Sequence, residues 1–304
     1  MAQLAGVRHT YMDTVRREDL LDRISDVSPD RNYLTTTLPV TEFSQTLTEW
    51  AEYYEARPTS NTGVVEGDDN TYADLSQPTK YNNVLQIIKE TFAVSETDIA
   101  VNKVSPRDAY ASELGKAMGR WKSRMEFAIL RGTKASGASG VARTMDGIIP
   151  FTIDNGTYTV RNSGTSLSQQ EFTDMSVESW NTTDEHLVNL LLTTGTVKTA
   201  FSNFFTTSTP KTIAADDKRL VQALEVIEDN FGNMVQIRAH KDMPASTVLG
   251  VNTKLLSIGY LTNRRPKHVA NGITGDNRKG HIVGEGAIRV ASARPFYYRE
   301  GYNL

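Results

Sequence analysis

Between two strand-like segments lies a polar stretch, Arg57 to Pro78, that holds almost nothing from which a core could be made. Its landmarks are Asn61-Thr62-Gly63 and the acidic run Glu66-Gly67-Asp68-Asp69-Asn70. Before it, residues 35–56 are dominated by Thr and aromatic side chains, with Trp50, Tyr53 and Tyr54 near the end, and read as extended. After it, residues 79–95 return as strand through Val84, Leu85, Ile87, Ile88, Phe92 and Val94. Structureless loops of about 20 residues are uncommon inside a compact domain. The pattern therefore predicts a long hairpin projecting from the body.

Composition agrees with a chain that is not a closed ball. Only 38% of its 304 residues are hydrophobic, which is thin for a core of that length. Lys plus Arg is 33 and Asp plus Glu is 36, a formal net charge of -3. That balance excludes a strongly basic nucleic-acid binder and a polybasic membrane-surface protein. With no Cys there is no disulfide, no Cys-ligated zinc and no thiol nucleophile, and the cytosol is the simpler expectation. No run of about 18 apolar residues is present, and the first 20 residues carry no apolar segment of an export signal.

A short helix is expected over 16–27, where Leu20, Leu21, Ile24 and Val27 share one face and Ser28-Pro29 ends it. The strongest helix signal is 106–130. Ser105 is placed to cap it, Pro106 to open it and Gly132 to close it. Tyr110, Leu114, Ala117, Met118, Trp121, Met125, Ala128 and Ile129 repeat at three and four, with Lys116, Arg120, Lys122 and Arg124 on the other faces. Residues 141–170 read as short strands and turns, and 171–180 as a short helix. Leu187–Leu192 reads as a buried strand leading into a helix from Thr196. Residues 223–227 and 234–238 read as strands around Asn230-Phe231-Gly232. The last 60 residues read as strands at 248–251 and 287–291 around a polar excursion through Arg264, Arg265, Lys267 and Arg278. Irregular alternation of this kind is α+β.

The motif survey finds no chemistry. The five His residues, at 9, 186, 240, 268 and 281, form no metal-ligand spacing. Glu66, Asp68 and Asp69 lack the register of a calcium loop, so a solvated acidic tip is expected. Gly275 and Gly280 have the spacing of a phosphate loop, but His281-Ile282 stands where Lys and Ser or Thr are required. No nucleophile elbow occurs. Phe201, Phe204 and Phe205 are spaced as helix core, not as a base-stacking platform. No catalytic residue, cofactor or metal is assigned.

Taken in order, several segments resemble the major capsid proteins of tailed bacteriophages with the Hong Kong 97-type fold, in the branch of SU-type major head proteins. They are residues 17–29 from Arg17-Glu18-Asp19 to Val27-Ser28-Pro29; Thr48-Glu49-Trp50 with Glu66-Gly67; and Lys89 to Ser95 with Ala100-Val101-Asn102-Lys103. The later ones are Glu126 to Leu130 with Met145-Asp146-Gly147, then Asp229 to Gly232, and Gly275-Asp276 with Val283-Gly284-Glu285. Asn32-Tyr33-Leu34-Thr35 and Arg264-Arg265-Pro266 depart from the family's pattern.

The resemblance implies four parts: an N-terminal arm at 1–34, a hairpin or E-loop at 35–93, a peripheral domain at 94–170 and 246–304 with the spine helix 106–130, and an axial domain at 171–245. It also implies a structural protein without enzymatic activity, assembling through pentamers and hexamers into an icosahedral shell around double-stranded DNA. Implied partners are further copies of itself, a portal and a scaffolding protein, a decoration or cement protein, and weakly and non-specifically held DNA, but no membrane. The place is the virion capsid, assembled in the host bacterial cytoplasm. Candidate intersubunit contacts are Trp50, Tyr53 and Tyr54 on the hairpin, Glu66, Asp68 and Asp69 at its tip, and Arg264, Arg265 and Lys267 as basic partners. The alternatives are an encapsulin-like compartment shell of the same fold, a hydrolytic enzyme with an unrecognised carboxylate pair, and a tail or fibre protein, against which the long helix and the lack of repeats argue.

Overall fold

The computed structural model describes residues 32–55, 57–58, 61, 63–69, 76–101, 108–160, 166–183, 187–208, 226–272 and 275–302. The expected helix at 16–27 and the Ser105-Pro106 cap lie outside these residues. From the N-terminal side the elements are α1 (Tyr33–Thr37), β1 (Val40–Phe43), β2 (Leu47–Glu52), β3 (Thr79–Val84), β4 (Gln86–Ser95), α2 (Glu96–Ala100) and α3 (Ala109–Arg131). Then come α4 (Ile148–Asn155), β5 (Thr157–Val160), α5 (Gln169–Thr182), β6 (Leu190–Thr193), α6 (Gly195–Ser208), β7 (Val226–Glu228) and β8 (Met234–Ala239). The chain ends with β9 (Thr247–Val251), β10 (Leu256–Leu261), β11 (Lys267–Ala270), β12 (Asn277–Val290) and β13 (Tyr297–Glu300).

The long helix forms where the three-and-four periodicity puts it, but its cap is different. Asp108 takes the N-cap, its Oδ1 accepting the Ala111 N–H at 3.0 Å. The buried face carries Ala117, Trp121, Met125, Ala128 and Ile129. It lies on a five-stranded sheet whose long member is β12. One edge of β12 pairs antiparallel with β4 over ten positions. Its other edge is shared by β11 and β10, and β1 adds in parallel to β10. Trp121 is 1% exposed, and its Nε1–H donates to the Ile88 carbonyl at 3.0 Å. A Cβ on Gly284 of β12 would stand 2.7 Å from the Trp121 ring, so the absent side chain is what lets helix and strand approach.

A second sheet has six strands in the order β5-β13-β9-β6-β8-β7, and its central strands β9 and β6 are buried on both faces. Strand periodicity sorts its residues cleanly. Leu190, Leu192, Leu249, Val251 and Tyr298 join the core that runs under α3. Leu191, Ile237, Val248 and Tyr297 face a separate core closed by Phe172 and Met175 of α5 and Val197 and Phe201 of α6. This explains why β6 and β9 read as uninterrupted apolar runs.

Several expectations are corrected by these pairings. The span 35–93 is not one hairpin, because β1 and β4 belong to the α3 sheet and only β2 and β3 pair with each other, from Leu47↔Val84 to Glu52↔Thr79. The segment Tyr33–Thr37, expected as the start of an extended run, is helical. Residues 148–155, expected as strands and turns, form α4, whose buried Ile148, Ile149, Phe151 and Thr152 make one apolar side. The polar excursion at 264–278 contains β11, and the strand expected at 287–291 begins ten residues earlier. Strands β9 and β13 enter the six-stranded sheet with β6 and β8, so that sheet does not respect a boundary at 245/246.

Candidate assembly surfaces

The tip of the β2–β3 hairpin exposes apolar side chains next to charge. Tyr53, Val64 and Val65 are 59%, 76% and 79% exposed. Glu66, Asp68 and Asp69 are exposed beside them. The acidic run is a built turn: Gly67 has φ 88°, which favours glycine, and the Asp68 N–H donates to the Val65 carbonyl at 3.1 Å. Further down, the Arg294 guanidinium covers the Tyr54 ring at 4.3 Å and its Nε–H donates to Glu52 Oε1 at 3.0 Å. Tyr54 is therefore part of the hairpin's base, and Tyr53 is the open aromatic.

Trp50 is a different case. It is 9% exposed and stacks on Phe151 of α4, with centroids 6.2 Å apart and planes 26° apart. Tyr81, opposite it in the hairpin register, meets Phe151 edge-on at 5.5 Å. The chain buries Trp50 itself, and the idea of Trp50 as an open anchor for a neighbour is corrected on that ground. Two of the three basic candidates are also engaged at home. Arg264 approaches Glu285 at 3.4 Å, and Arg143 binds the other oxygen of that buried carboxylate at 2.5 Å. Arg265 pairs with Glu42 at 3.0 Å, both ends well exposed. Lys267, on β11, is exposed.

An exposed aromatic pair escaped the sequence reading. Trp180 of α5 and Phe231 of the β7–β8 turn stack with centroids 4.7 Å and planes 5° apart, at 46% and 38% exposure. Val177 lies one helical turn before Trp180 and is 38% exposed. A Trp just past the apolar face of the 171–180 helix, beside a turn carrying Phe, was the available signal.

The hairpin is rooted by buried polar groups. Asn83 is 2% exposed. Its Oδ1 accepts the Asp146 N–H at 2.8 Å, and its Nδ2 donates to the carbonyls of Asp146 and Ile288 at 3.0 and 2.8 Å. A cleft beside this root is lined by Lys80, Tyr81, Asn82, Lys134, Asp146 and Asp154 among others. Burial pushes the Asp146 carboxyl up to about 6, with Lys134 opposing and Asp154 adding to the rise. Lys134 is tied to Asn82. Among the described residues no cluster of three or more His, Asp or Glu side chains is placed to hold a metal ion. Among them, too, no helix is long and apolar enough to cross a membrane.

The hairpin is exposed and charged on a two-sheet body, and the sequence comparison decides the class. Residues 7–296 match the model of the SU10 major capsid protein family. The chain belongs to that family. No curated protein sequence matches it. Its fold is similar to the capsid of cyanophage A-1(L), with 13% identity, coverage of 98% of this chain and 100% of that one, and a TM-score of 0.66. It is also similar to the phage G major capsid protein, in a structure that includes decoration proteins, with 11% identity, full coverage of both chains and a TM-score of 0.55. The SrpI encapsulin of Synechococcus elongatus shares the fold at 12% identity and a TM-score of 0.60, covering 95% of this chain and 92% of that one. The SU10-type capsid protein is thus a structural protein of the Hong Kong 97-type α+β fold, a component of the virion capsid of a tailed phage that forms its icosahedral shell. Its family separates it from the compartment shells that share the fold.

Proposed function

We propose that copies of this capsid protein are joined into pentamers and hexamers chiefly by the β2–β3 hairpin lying across a neighbouring subunit. The observation that carries this is the tip, where Val64 and Val65 stand almost fully exposed beside an acidic turn. Full burial of a Val against a neighbour is worth roughly 1.5 kcal/mol or more. A head-to-tail contact repeated around an axis closes into a ring, so each subunit gives one tip and receives one. Tyr53 supplies the aromatic anchor. Glu66, Asp68 and Asp69 set register against exposed cations such as Lys267 of the neighbour. In this reading residues 1–34 form the arm, the α3 sheet the peripheral lobe and the α5–α6 sheet the axial lobe, with Trp180 and Phe231 as a second contact. A portal, a scaffolding protein and a decoration protein complete the particle around double-stranded DNA.

Deletion of residues 60–75 tests the clamp. The shortened chain is expected to fold and to remain as soluble rings or monomers in electron micrographs. Shells of normal yield and shape from that deletion would overturn the assignment.

A further inference from the structure

The chain holds two Asn-Gly pairs, Asn155-Gly156 and Asn271-Gly272, and the fold treats them in opposite ways. Asn155 ends α4, and its Nδ2 donates to the Phe151 carbonyl at 3.1 Å. The Gly156 N–H donates to the Thr152 carbonyl at 2.8 Å, and a Cβ on Gly156 would stand 2.8 Å from the Ala293 carbonyl oxygen. Both residues are half-buried. Asn271 and Gly272, between β11 and β12, are both exposed. The Asn271 N–H donates to the Lys279 carbonyl at 3.0 Å, which ties that residue to β12. The Gly272 N–H has no partner among the described residues, and a Cβ there would meet nothing within 4 Å. Against the Asn271 side chain stands a ring from β12, with His281 Nδ1 lying 2.7 Å from Oδ1. An amide oxygen only accepts, so Nδ1 carries the proton. Burial, Lys89 and His268 hold the ring below its ordinary pKa, so above neutral pH it is an uncharged donor.

We propose that Asn271-Gly272 is a self-modification site, at which the folded chain converts the Asn271 amide to a carboxylate through a cyclic imide, with His281 assisting. Hydroxide takes the proton of the Gly272 N–H, and that nitrogen forms a bond to Asn271 Cγ. Negative charge gathers on Oδ1, where the His281 Nδ1–H meets it. The Cγ–Nδ2 bond then breaks, and Nδ2 leaves as ammonia after taking a proton from water, which restores the hydroxide. Water opens the remaining five-membered imide at either carbonyl. The net change is one water in and one ammonia out. Opening at the main-chain carbonyl leaves the chain running through Cβ and Cγ, an isoaspartate, which lengthens the backbone path of the loop by one carbon. The new charge stands across from Lys279, a favourable place for it. At Asn155 the same attack would first have to break the last hydrogen bond of α4 and move Gly156 away from the Ala293 and Phe296 carbonyls. The conversion is one-way, so the β11–β12 loop carries a record of the time since folding.

The test is tryptic mass mapping of the full-length soluble chain after incubation for several weeks in mildly alkaline buffer at physiological temperature. The peptide 268–278 should gain one dalton, placed at Asn271 by fragmentation, with isoaspartate among the products. Asn155, in the peptide 144–161, should lag by about tenfold or more, since it converts only while the end of α4 is open. In urea the two sites should convert at similar rates. His281→Phe should slow conversion at Asn271 by about two- to tenfold, the share of one hydrogen bond in a barrier, in buffer but not in urea. His281→Gln, whose side-chain amide also donates, should keep the larger part of the wild-type rate. No gain at Asn271 in the folded chain, or an equal gain at Asn155, would overturn the site. A gain without isoaspartate would mean direct hydrolysis of the amide and would overturn the imide route. An unaltered rate in His281→Phe would overturn the part given to His281.

Discussion

Glu126 of α3 and His240, 114 residues apart, meet at 3.1 Å in the interior, and the contact closes a carboxylate that is fully buried. The Asp242 N–H donates to His240 Nδ1 at 3.2 Å, so in the neutral ring Nε2 carries the proton and donates to Glu126 Oε1. The same oxygen accepts the Leu34 N–H at 2.7 Å, and Oε2 accepts the N–H and hydroxyl of Thr35 at 2.7 and 2.5 Å. One carboxylate thereby holds the first turn of α1, the spine helix and the end of β8 together. Its removal strands four donors, two buried and two half-buried. Glu126→Ala leaves the buried Leu34 and His240 donors unsatisfied, at about 1–3 kcal/mol each, and should cost about 3–5 kcal/mol. Glu126→Gln, which replaces one acceptor oxygen by a donor, should cost about 1–3 kcal/mol. Urea unfolding of the soluble chain measures both, and equal small losses would mean that the node is not a structural one.

Asp146 makes the hairpin root sensitive to pH in a definite direction. Its carboxyl titrates near 6 in the fold, above the ordinary value of 3.8, because burial disfavours the charge. The protonated form is the one the fold prefers. Its contribution is complete below about pH 4 and is lost as pH rises through 6. Asp146→Asn keeps a neutral side chain at every pH. The variant should match the wild type near pH 4 and exceed it by about 2 kcal/mol at pH 8, read from denaturant midpoints. A gap that widens toward acid would contradict the mechanism.

Arg299 on β13 is completely buried and binds two carboxylates of α5, Glu171 at 2.8 Å and Glu178 at 2.7 Å. The Tyr302 hydroxyl also donates to Glu171, at 3.3 Å. Arg299→Met leaves both acids without their cation and should destabilise the chain by about 3–5 kcal/mol. Neutralising the acids as well, in Arg299→Met/Glu171→Gln/Glu178→Gln, should recover at least half of that loss, since the penalty belongs to the unpaired charges. A triple variant no better than the single one would show that packing of the long side chain, and not its charge, is what matters.

Local pattern carried much of this architecture and failed where the controlling partner is far away in the chain. The spine helix, α5, β6, α6 and the β7–β8 pair were legible because each shows its own periodicity or turn residues. Strand β12 was half missed because Gly280 and Gly284 interrupt its alternation. A side chain at either would strike Phe92 or Trp121, so the pattern that justifies these glycines lies on β4 and α3. Helix α1 was missed for the same kind of reason, since its first turn is held by Glu126, some 90 residues away. In the candidate surface, the exposed acidic tip could be read from composition. The fate of Trp50 could not, because the Phe151 that covers it sits on a helix that resembled a strand.

That distinction between covered and open aromatics yields the sharpest assembly test. Trp50 and Tyr53 are three residues apart in one hairpin, yet one packs on its own chain and the other is 59% exposed. Trp50→Ala should lower the folding stability of the soluble chain by about 3–5 kcal/mol, as should Trp121→Ala under the spine helix. Tyr53→Ala, and Val65→Asp at the tip, should change unfolding by no more than about 0.5 kcal/mol, as is usual for open surface positions. In the proposed clamp their effect belongs to assembly, because Tyr53 and Val65 stand open among the described residues and a neighbour would cover them, and a carboxylate in place of the valine would bring a charge into that contact. Shell yield by sedimentation should therefore fall in Tyr53→Ala and Val65→Asp at unchanged subunit stability. In Trp50→Ala it should fall only in proportion to the unfolded fraction. If Tyr53→Ala and Val65→Asp form shells as well as the wild type, the tip does not clamp a neighbour, however exposed it stands in the single chain.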